Sequence, residues 1–332
     1  MKVPAKAPRN PMAYRILSFD GGGMRGVVTA RLLANLCAEA GLSTASADLL
    51  AGSSVGATNA LALALGMKPE RMVSLYADHA ESIFRKSHRK GFVRSIYRTE
   101  DQRAGHLAAL RAAGIEAPEL RRLGELEQRV LVLTFQLNGA IGAQPGEKPA
   151  WRGKLFHNFP LESDGSPNRD LEEPVIDVLL RSSAAPIVFP VYQGFADGGL
   201  VAINPSVCAI AQAMNPATGG AAIGDVRLLS LGTGRGATHT LDVGTESWGL
   251  VQWGLKAGRY GDRFIDAFAD IPAFQAAQIL GDRYLRLNPP IPPTSGVDRP
   301  NELPAFLAAA DAYRETEEWA VALEWVKRWW SN

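Results

Sequence analysis

The sequence predicts an α/β protein of three layers, in which a mostly parallel central sheet is covered by helices on both faces. Three observations predict it. Two strand–turn–helix units stand back to back near the start, a strongly apolar strand lies in the middle, and further apolar strands alternate with helical stretches toward residue 290.

The elements follow in order. Tyr14 to Phe19 (Tyr-Arg-Ile-Leu-Ser-Phe) reads as a short buried strand. Asp20-Gly21-Gly22-Gly23 is a turn, and Val27 to Glu39 has helical spacing. Ala47 to Ala51 repeats the pattern as a second strand. After Gly52-Ser53-Ser54-Val55-Gly56 an apolar helix runs to Leu65, stopped by Gly66 and Pro69. Val130 to Gln136 is the central strand. Pro174 to Ser183 reads as a helix ended by Pro186, Phe195-Ala196 leads into Asp197, and Val226 to Leu231 is another strand. Arg283 to Leu287 closes the sheet before a Pro-rich loop, Pro289 to Pro293, and Pro304 to Trp330 is helical. Gly139 to Gly146 and Glu162 to Asp170 read as loops. The expected division is a tail over 1–13, one catalytic domain over 14–290, and a helical extension over 291–332 packed on that domain.

With 332 residues, 46% of them hydrophobic and 21% charged, the chain can bury a large core. A formal net charge of +1 gives no general attraction to nucleic acid, so no nucleic-acid partner is expected. Cys37 and Cys208 sit in apolar contexts and read as buried thiols, without a disulfide framework or zinc spacing. Met1 to Asn10 lacks the apolar region of a secretory signal, and Leu49 to Met67 is too polar to span a bilayer. A cytoplasmic protein is expected, without a bound cofactor or metal. The sequence leaves its oligomeric state open.

Gly52-x-Ser54-x-Gly56 is the nucleophile-elbow pattern, which lifts a serine onto a sharp strand-to-helix turn. Alone it is weak, since about 0.2 matches arise by chance in a chain of this composition. Its place between an apolar strand and an apolar helix strengthens it. The loop Asp20 to Gly26 can turn several backbone N–H groups toward one point, making a nest for a phosphate or an oxyanion. A nucleotide phosphate is disfavoured, because there is no G-x-x-x-x-G-K-[ST] and no G-x-G-x-x-G with an acidic residue at the right distance past it. Arg25 is read either as solvated or as a partner for a substrate phosphate.

Ser54 needs a base. Asp197, in Asp197-Gly198-Gly199, is one candidate, and an ordinary turn is its bland reading. Among the five histidines, His79, His88 and His106 lie in polar helical surroundings and read as solvated, and His157 reads as a satisfied, partly buried imidazole. His239 lies in a polar loop, and the order Ser54, Asp, His239 would satisfy an α/β-hydrolase triad.

Asp20-Gly21-Gly22-Gly23-Met24-Arg25-Gly26, Gly52-Ser53-Ser54-Val55-Gly56 and Asp197-Gly198-Gly199, in that order, resemble the patatin-like phospholipase family. Ser182-Ser183-Ala184-Ala185-Pro186 and Leu229-Ser230-Leu231-Gly232-Thr233-Gly234 add to the likeness, which covers about residues 14–290. Ser53 stands where the family often has Thr, and Ile203-Asn204-Pro205 where it often has Asn-Asn-Pro. The resemblance implies the patatin-like α/β/α fold, a serine acyl hydrolase of phospholipase A or lysophospholipase type, and a Ser54–Asp197 dyad without histidine. It also implies an oxyanion hole at Gly21, Gly22, Gly23 and Met24, and a phospholipid or other acyl-lipid substrate. A ligand-activated phospholipase effector is a second reading of the same likeness.

Two segments are candidates for peripheral membrane contact, the first of which also reads as a solvated lid or loop. Arg85 to Arg98 mixes Arg85, Lys86, Arg89, Lys90, Arg94 and Arg98 with Phe92 and Tyr97. The C-terminal helix sets Trp319, Leu323, Val326 and Trp330 on one stripe, which packs either on the domain or on lipid.

Overall fold

The structure, a computed structural model, describes residues 13–83, 95–137, 151–236, 257–292 and 300–330. Its strands are β1 (Tyr14–Phe19), β2 (Leu49–Ser53), β3 (Arg129–Gln136), β4 (Arg152–His157), β5 (Phe195–Ala196), β6 (Val226–Leu231), β7 (Arg235–Gly236), β8 (Tyr284–Leu287) and β9 (Pro290–Ile291). Its helices are α1 (Gly26–Ala40), α2 (Val55–Ala64), α3 (Pro69–Ile83), α4 (Thr99–Ala112), α5 (Val175–Ser182), α6 (Ser206–Met214), α7 (Ala257–Leu280), α8 (Leu303–Ala312) and α9 (Glu317–Trp329).

The main sheet runs β4-β3-β2-β1-β6-β8, with β5 added on β3. The pairs from β3 through β8 are parallel, while β4 and β5 lie antiparallel to β3. Side chains alternate between the faces of a strand. Leu17, Phe19, Leu50, Val130, Val132, Leu229 and Leu231 accordingly enter one apolar core with α1, α2 and α5. Ile16, Leu49, Ala51, Leu131, Leu133, Val226 and Leu228 enter a second core with α6 and α7. Both faces are covered, which gives the three-layer α/β/α architecture read from the sequence.

The chain adds β2 and β3 on one side of β1, then returns to place β6 on the other. A reversal of this kind opens a crevice beyond the carboxyl ends of the strands, where ligands of open α/β sheets bind. The glycine loop after β1, Ser54 after β2 and Thr233 after β6 all leave from those ends.

Several expectations change. The stretch Pro289 to Pro293 contributes β9, which pairs with β7, so it is not wholly loop. The structure adds strand β4 and helices α3, α4, α6 and α7 to the elements expected from the sequence. The helical end is two helices joined by a 3-10 turn at Tyr313–Glu315. Phe306, Ala310, Trp319 and Val326 from these helices share a core with α1. The stripe on α9 faces inward: Trp319 and Trp330 are buried, and their indole N–H groups donate to Glu39 Oε2 at 2.9 Å and the Ser43 carbonyl at 3.0 Å. Trp325 Nε1 donates to the Asp282 carbonyl at 2.8 Å. This settles the stripe as packing and removes it as a lipid-facing surface. Of the basic segment, residues 85–94 lie outside the described residues, and Tyr97 is core rather than surface. The 139–146 stretch also lies outside them. Among the described residues no helix is long and apolar enough to cross a membrane. Cys37 and Cys208 are free and half-buried rather than fully buried.

Candidate active site

Ser54 stands between the last residue of β2 and the first of α2, with φ 55° and ψ −125°. A left-handed φ is costly for a residue with a side chain, by about 1–3 kcal/mol, and persists only when the surroundings impose it. Here they do. Ser54 N–H donates to Ser182 Oγ at 3.0 Å, and Ser182 Oγ donates to the Leu133 carbonyl at 2.7 Å. The Ser54 carbonyl accepts from Ala57 N at 2.9 Å, the first hydrogen bond of α2.

The two glycines of the elbow are required by space. A Cβ on Gly52 would lie 2.3 Å from the Gly56 carbonyl oxygen, and one on Gly56 would lie 2.1 Å from the Phe19 carbonyl oxygen. Both obstacles are backbone and cannot swing aside. Gly56→Ala is therefore expected to destabilise the fold by about 3 kcal/mol or more, read from the midpoint of denaturant unfolding. An unchanged midpoint would show that α2 need not approach β1 this closely.

Asp197 follows β5 and caps a 3-10 turn, Gly198–Leu200. Its Oδ1 accepts from Gly199 N at 2.7 Å, and its Oδ2 accepts from Ser54 Oγ at 2.7 Å. A Cβ on Gly198 would meet the Leu133 carbonyl oxygen at 2.2 Å, so glycine there lets the turn lie against β3. Asp197 is 5% exposed. Burial disfavours the charged carboxylate and pushes its pKa up to about 6, against the opposing hydrogen bonds from Gly199 and Ser54. The two oxygens thus meet the serine directly and one backbone amide, with no imidazole between Ser54 and Asp197. His239, needed for the triad alternative, lies outside the described residues.

The glycine loop packs on the serine: a Cβ on Gly21 would lie 3.2 Å from Ser54 Cβ. Its N–H groups are not equivalent. Gly21 N donates to the Ile203 carbonyl at 2.9 Å, which corrects its assignment to an oxyanion hole, because that donor is already engaged. Gly22 caps the 3-10 turn Gly23–Arg25 that leads into α1, so the N–H groups of Gly22, Gly23 and Met24 have no acceptor within the turn. These three residues line the same cavity as Ser54 and Asp197. Thr233 holds the loop in place. Its Oγ1 donates to the Gly21 carbonyl at 3.1 Å and fills the space where a Gly22 Cβ would stand.

Arg25 corrects both readings given to it. It is 1% exposed, and its guanidinium turns to the Thr233 and Gly234 carbonyls and to Asp266 Oδ1 on α7, at 2.5 Å from Nη2. An arginine committed to two carbonyls and a carboxylate ties the loop to α7 and is not offered to a substrate phosphate. Asp20 is tied in a similar way. Its Oδ2 accepts from Arg286 Nη2 at 2.6 Å, and Arg286 Nη1 also donates to Ser230 Oγ at 2.8 Å.

The cavity beside Ser54 measures about 190 Å³. Leu75, Ile83, Val188, Phe189, Ile203 and Ile265 give it apolar walls. His106 also lines it and corrects a sequence expectation: it is buried rather than solvated, and burial lowers its pKa to about 4, leaving a neutral imidazole. The residues that sequence reasoning missed are Ser182 as the elbow's anchor, Thr233 as the loop's prop, and Arg286. Each bonds a partner far along the chain; the family likeness includes the segments that hold Ser182 and Thr233, and nothing in the sequence pointed to Arg286.

One group among the described residues has metal-ligand chemistry: His157, Glu162 and Asp170. It is internally satisfied. Asn168 Nδ2 lies 3.1 Å from His157 Nδ1 while donating to the His157 and Phe159 carbonyls. That orientation leaves the imidazole proton on Nε2, facing Glu162 at 3.3 Å, and Lys154 Nζ takes Asp170 Oδ2 at 2.8 Å. The reading of His157 as a satisfied imidazole agrees with these contacts.

Comparisons with known proteins agree on one family. A family model described as patatin-like phospholipase matches residues 17–207. Protein teg of Priestia megaterium is 32% identical over 321 residues, covering 90% of this chain and 94% of that protein. A cGAMP-activated phospholipase of Pseudomonas aeruginosa is 28% identical over 300 residues, covering 86% of this chain and 81% of that protein. The 85/88 kDa calcium-independent phospholipase A2 of Rattus norvegicus is 27% identical over 301 residues, covering 82% of this chain and 35% of that protein.

Proposed function

Since the chain belongs to the patatin-like phospholipase family, a family of lipid hydrolases, we propose that it releases fatty acid from a lipid ester through an acyl intermediate on Ser54, with Asp197 as the base. The observation that carries this reading is the 2.7 Å hydrogen bond from Ser54 Oγ to the buried Asp197 Oδ2 at the edge of an apolar cavity.

The chemistry follows from the parts. As Ser54 Oγ attacks the ester carbonyl carbon, its proton passes to Asp197 Oδ2. Negative charge builds on the carbonyl oxygen, where the N–H groups of Gly22, Gly23 and Met24 hold it. Each such donor lowers the barrier by about 3 kcal/mol. The tetrahedral intermediate collapses, Asp197 returns the proton to the leaving alcohol, and the acyl group stays on Ser54. Water then attacks the acyl carbon while Asp197 takes its proton. Collapse of the second intermediate frees the fatty acid and restores the Ser54 hydroxyl. An ordinary aspartate, with a pKa near 3.9, is a weak base at neutral pH. The upward shift of Asp197 strengthens it for this task. The apolar walls give the acyl chain a place to leave water, at about 0.8 kcal/mol per buried methylene.

The test is product analysis. The purified protein incubated with phosphatidylcholine should release free fatty acid and leave lysophospholipid, and Ser54→Ala should release neither. Release of a phosphorylated or free head group would overturn the acyl-ester assignment.

A further inference from the structure

Among the described residues, one group of exposed large apolar side chains lies on α7 (Phe268, Ile271, Phe274 and Ile279), and another lies on and beside the segments that line the cavity. Trp151 is 73% exposed, Leu200 53% and Val201 39%, with Ile187 at 67% and Val191 at 54%. Isolated apolar residues are normal on a protein surface, whereas a group rimming a cavity marks an interaction site. Two flanks can be traced. Val201 packs on β4, where a Cβ on Gly153 would lie 3.1 Å from its Cγ1. Gly153 pairs with Phe135 across β3 and β4, and the Phe135 ring meets Trp151 edge-on at 6.0 Å. On the other flank, Pro186 and Val188 line the cavity while Ile187 between them faces out. Leu200 belongs to both worlds, lining the cavity and standing half in solvent.

Ile187 adds a second, independent observation. Its φ is 71°, in the left-handed region that β-branched residues avoid. The strain is held by neighbours: Ile96 N donates to the Ile187 carbonyl and Tyr97 N to the Val188 carbonyl, each at 2.9 Å. Glycine or asparagine would take this conformation at little cost. A strained isoleucine whose side chain touches water makes sense when the side chain itself has an apolar partner.

We propose that this rim is a lipid-docking face, on which Trp151, Ile187, Val191, Leu200 and Val201 enter the interfacial layer of a phospholipid surface. The proposal rests on the acyl-hydrolase reading for its purpose, since an acyl chain could then pass from lipid into the cavity along an apolar path. The occupant is a lipid layer, and an uncharged one suffices: none of the five side chains carries charge, and an exposed tryptophan is the side chain that favours the headgroup boundary. Binding therefore comes from apolar insertion and is insensitive to salt, unlike capture by a basic segment.

Flotation with phosphatidylcholine vesicles tests this, at low and high salt. The full chain should float with the vesicles equally in both. The triple variant W151S/I187N/V191S, in which Asn keeps the left-handed turn, should bind roughly tenfold more weakly or worse. Its turnover of vesicle lipid should fall in proportion, while hydrolysis of a monomeric short-chain ester stays within about twofold. The proposal is overturned if the variant floats like the wild type. It is also overturned if high salt releases the wild type, or if the wild type is a dimer that the three substitutions dissociate. Failure of the wild type to cleave the monomeric ester would count against the function proposed above and leave the flotation result standing.

Discussion

Ser54→Ala should abolish ester hydrolysis while leaving the fold intact, with a fall in kcat of about four to six orders of magnitude. Alanine removes only Oγ. The elbow itself is held by backbone contacts and by Ser182, which accepts from the Ser54 amide rather than from its side chain. Asp197→Asn should lower kcat by about four orders of magnitude. Its amide is nearly isosteric and keeps a carbonyl oxygen for the Gly199 N–H, but the group facing Ser54 can no longer take a proton. KM should change little in either variant, because the cavity walls are untouched. Steady-state kinetics on a chromogenic ester, with circular dichroism as the fold control, decides the point. Retention of near-full activity by Asp197→Asn would mean that another group is the base, and loss of turnover in His239→Gln would favour the triad.

The second large effect is on pH. If Asp197 acts as base it must be ionised, so kcat/KM should fall about tenfold for each pH unit below about 6 and level off above it. Stability should move the other way. A carboxylate whose folded pKa is raised binds its proton more tightly in the folded state than in the unfolded one. The resulting penalty is present in full above pH 6 and disappears as pH falls through 6 toward 4. It amounts to about 2–3 kcal/mol. Asp197→Asn should therefore raise the unfolding midpoint at pH 8, and the advantage over wild type should shrink by pH 4. A pH-independent difference would show that the burial of this carboxylate is not what shifts it.

The sequence carried most of the sheet and the reacting pair, for identifiable reasons. β1, β2, β3 and β6 are buried on both faces, so each is a near-continuous apolar run that composition alone reveals. Strand β4 begins Arg152-Gly153-Lys154 at the sheet's edge, where one side meets water, and it left no such signature. Helix α7 contains Pro272 and exposes Ile271, Phe274 and Ile279, so its apolar residues mark no single buried stripe. Ser54 and Asp197 were legible because both sit in turns whose glycines are dictated by close backbone approaches, and that requirement is written into the motif. The division of labour inside the glycine loop was not legible. Gly21, Gly22 and Gly23 are the same letter, and only the Ile203 carbonyl, far along the chain, decides that the first donor is engaged. Arg25 is the same case, because its partner Asp266 lies 241 residues away. His106 looked polar by its neighbours and is buried because α3, α4 and the cavity close around it.

Labelling with a fluorophosphonate, followed by peptide mapping, tests the pairing of serine and aspartate most directly, because the reagent reacts only with an activated nucleophile. The account predicts a single phosphonylated site at Ser54, absent in Ser54→Ala and slowed by orders of magnitude in Asp197→Asn. A label on any other residue, or undiminished labelling of Ser54 when Asp197 is replaced, would contradict it.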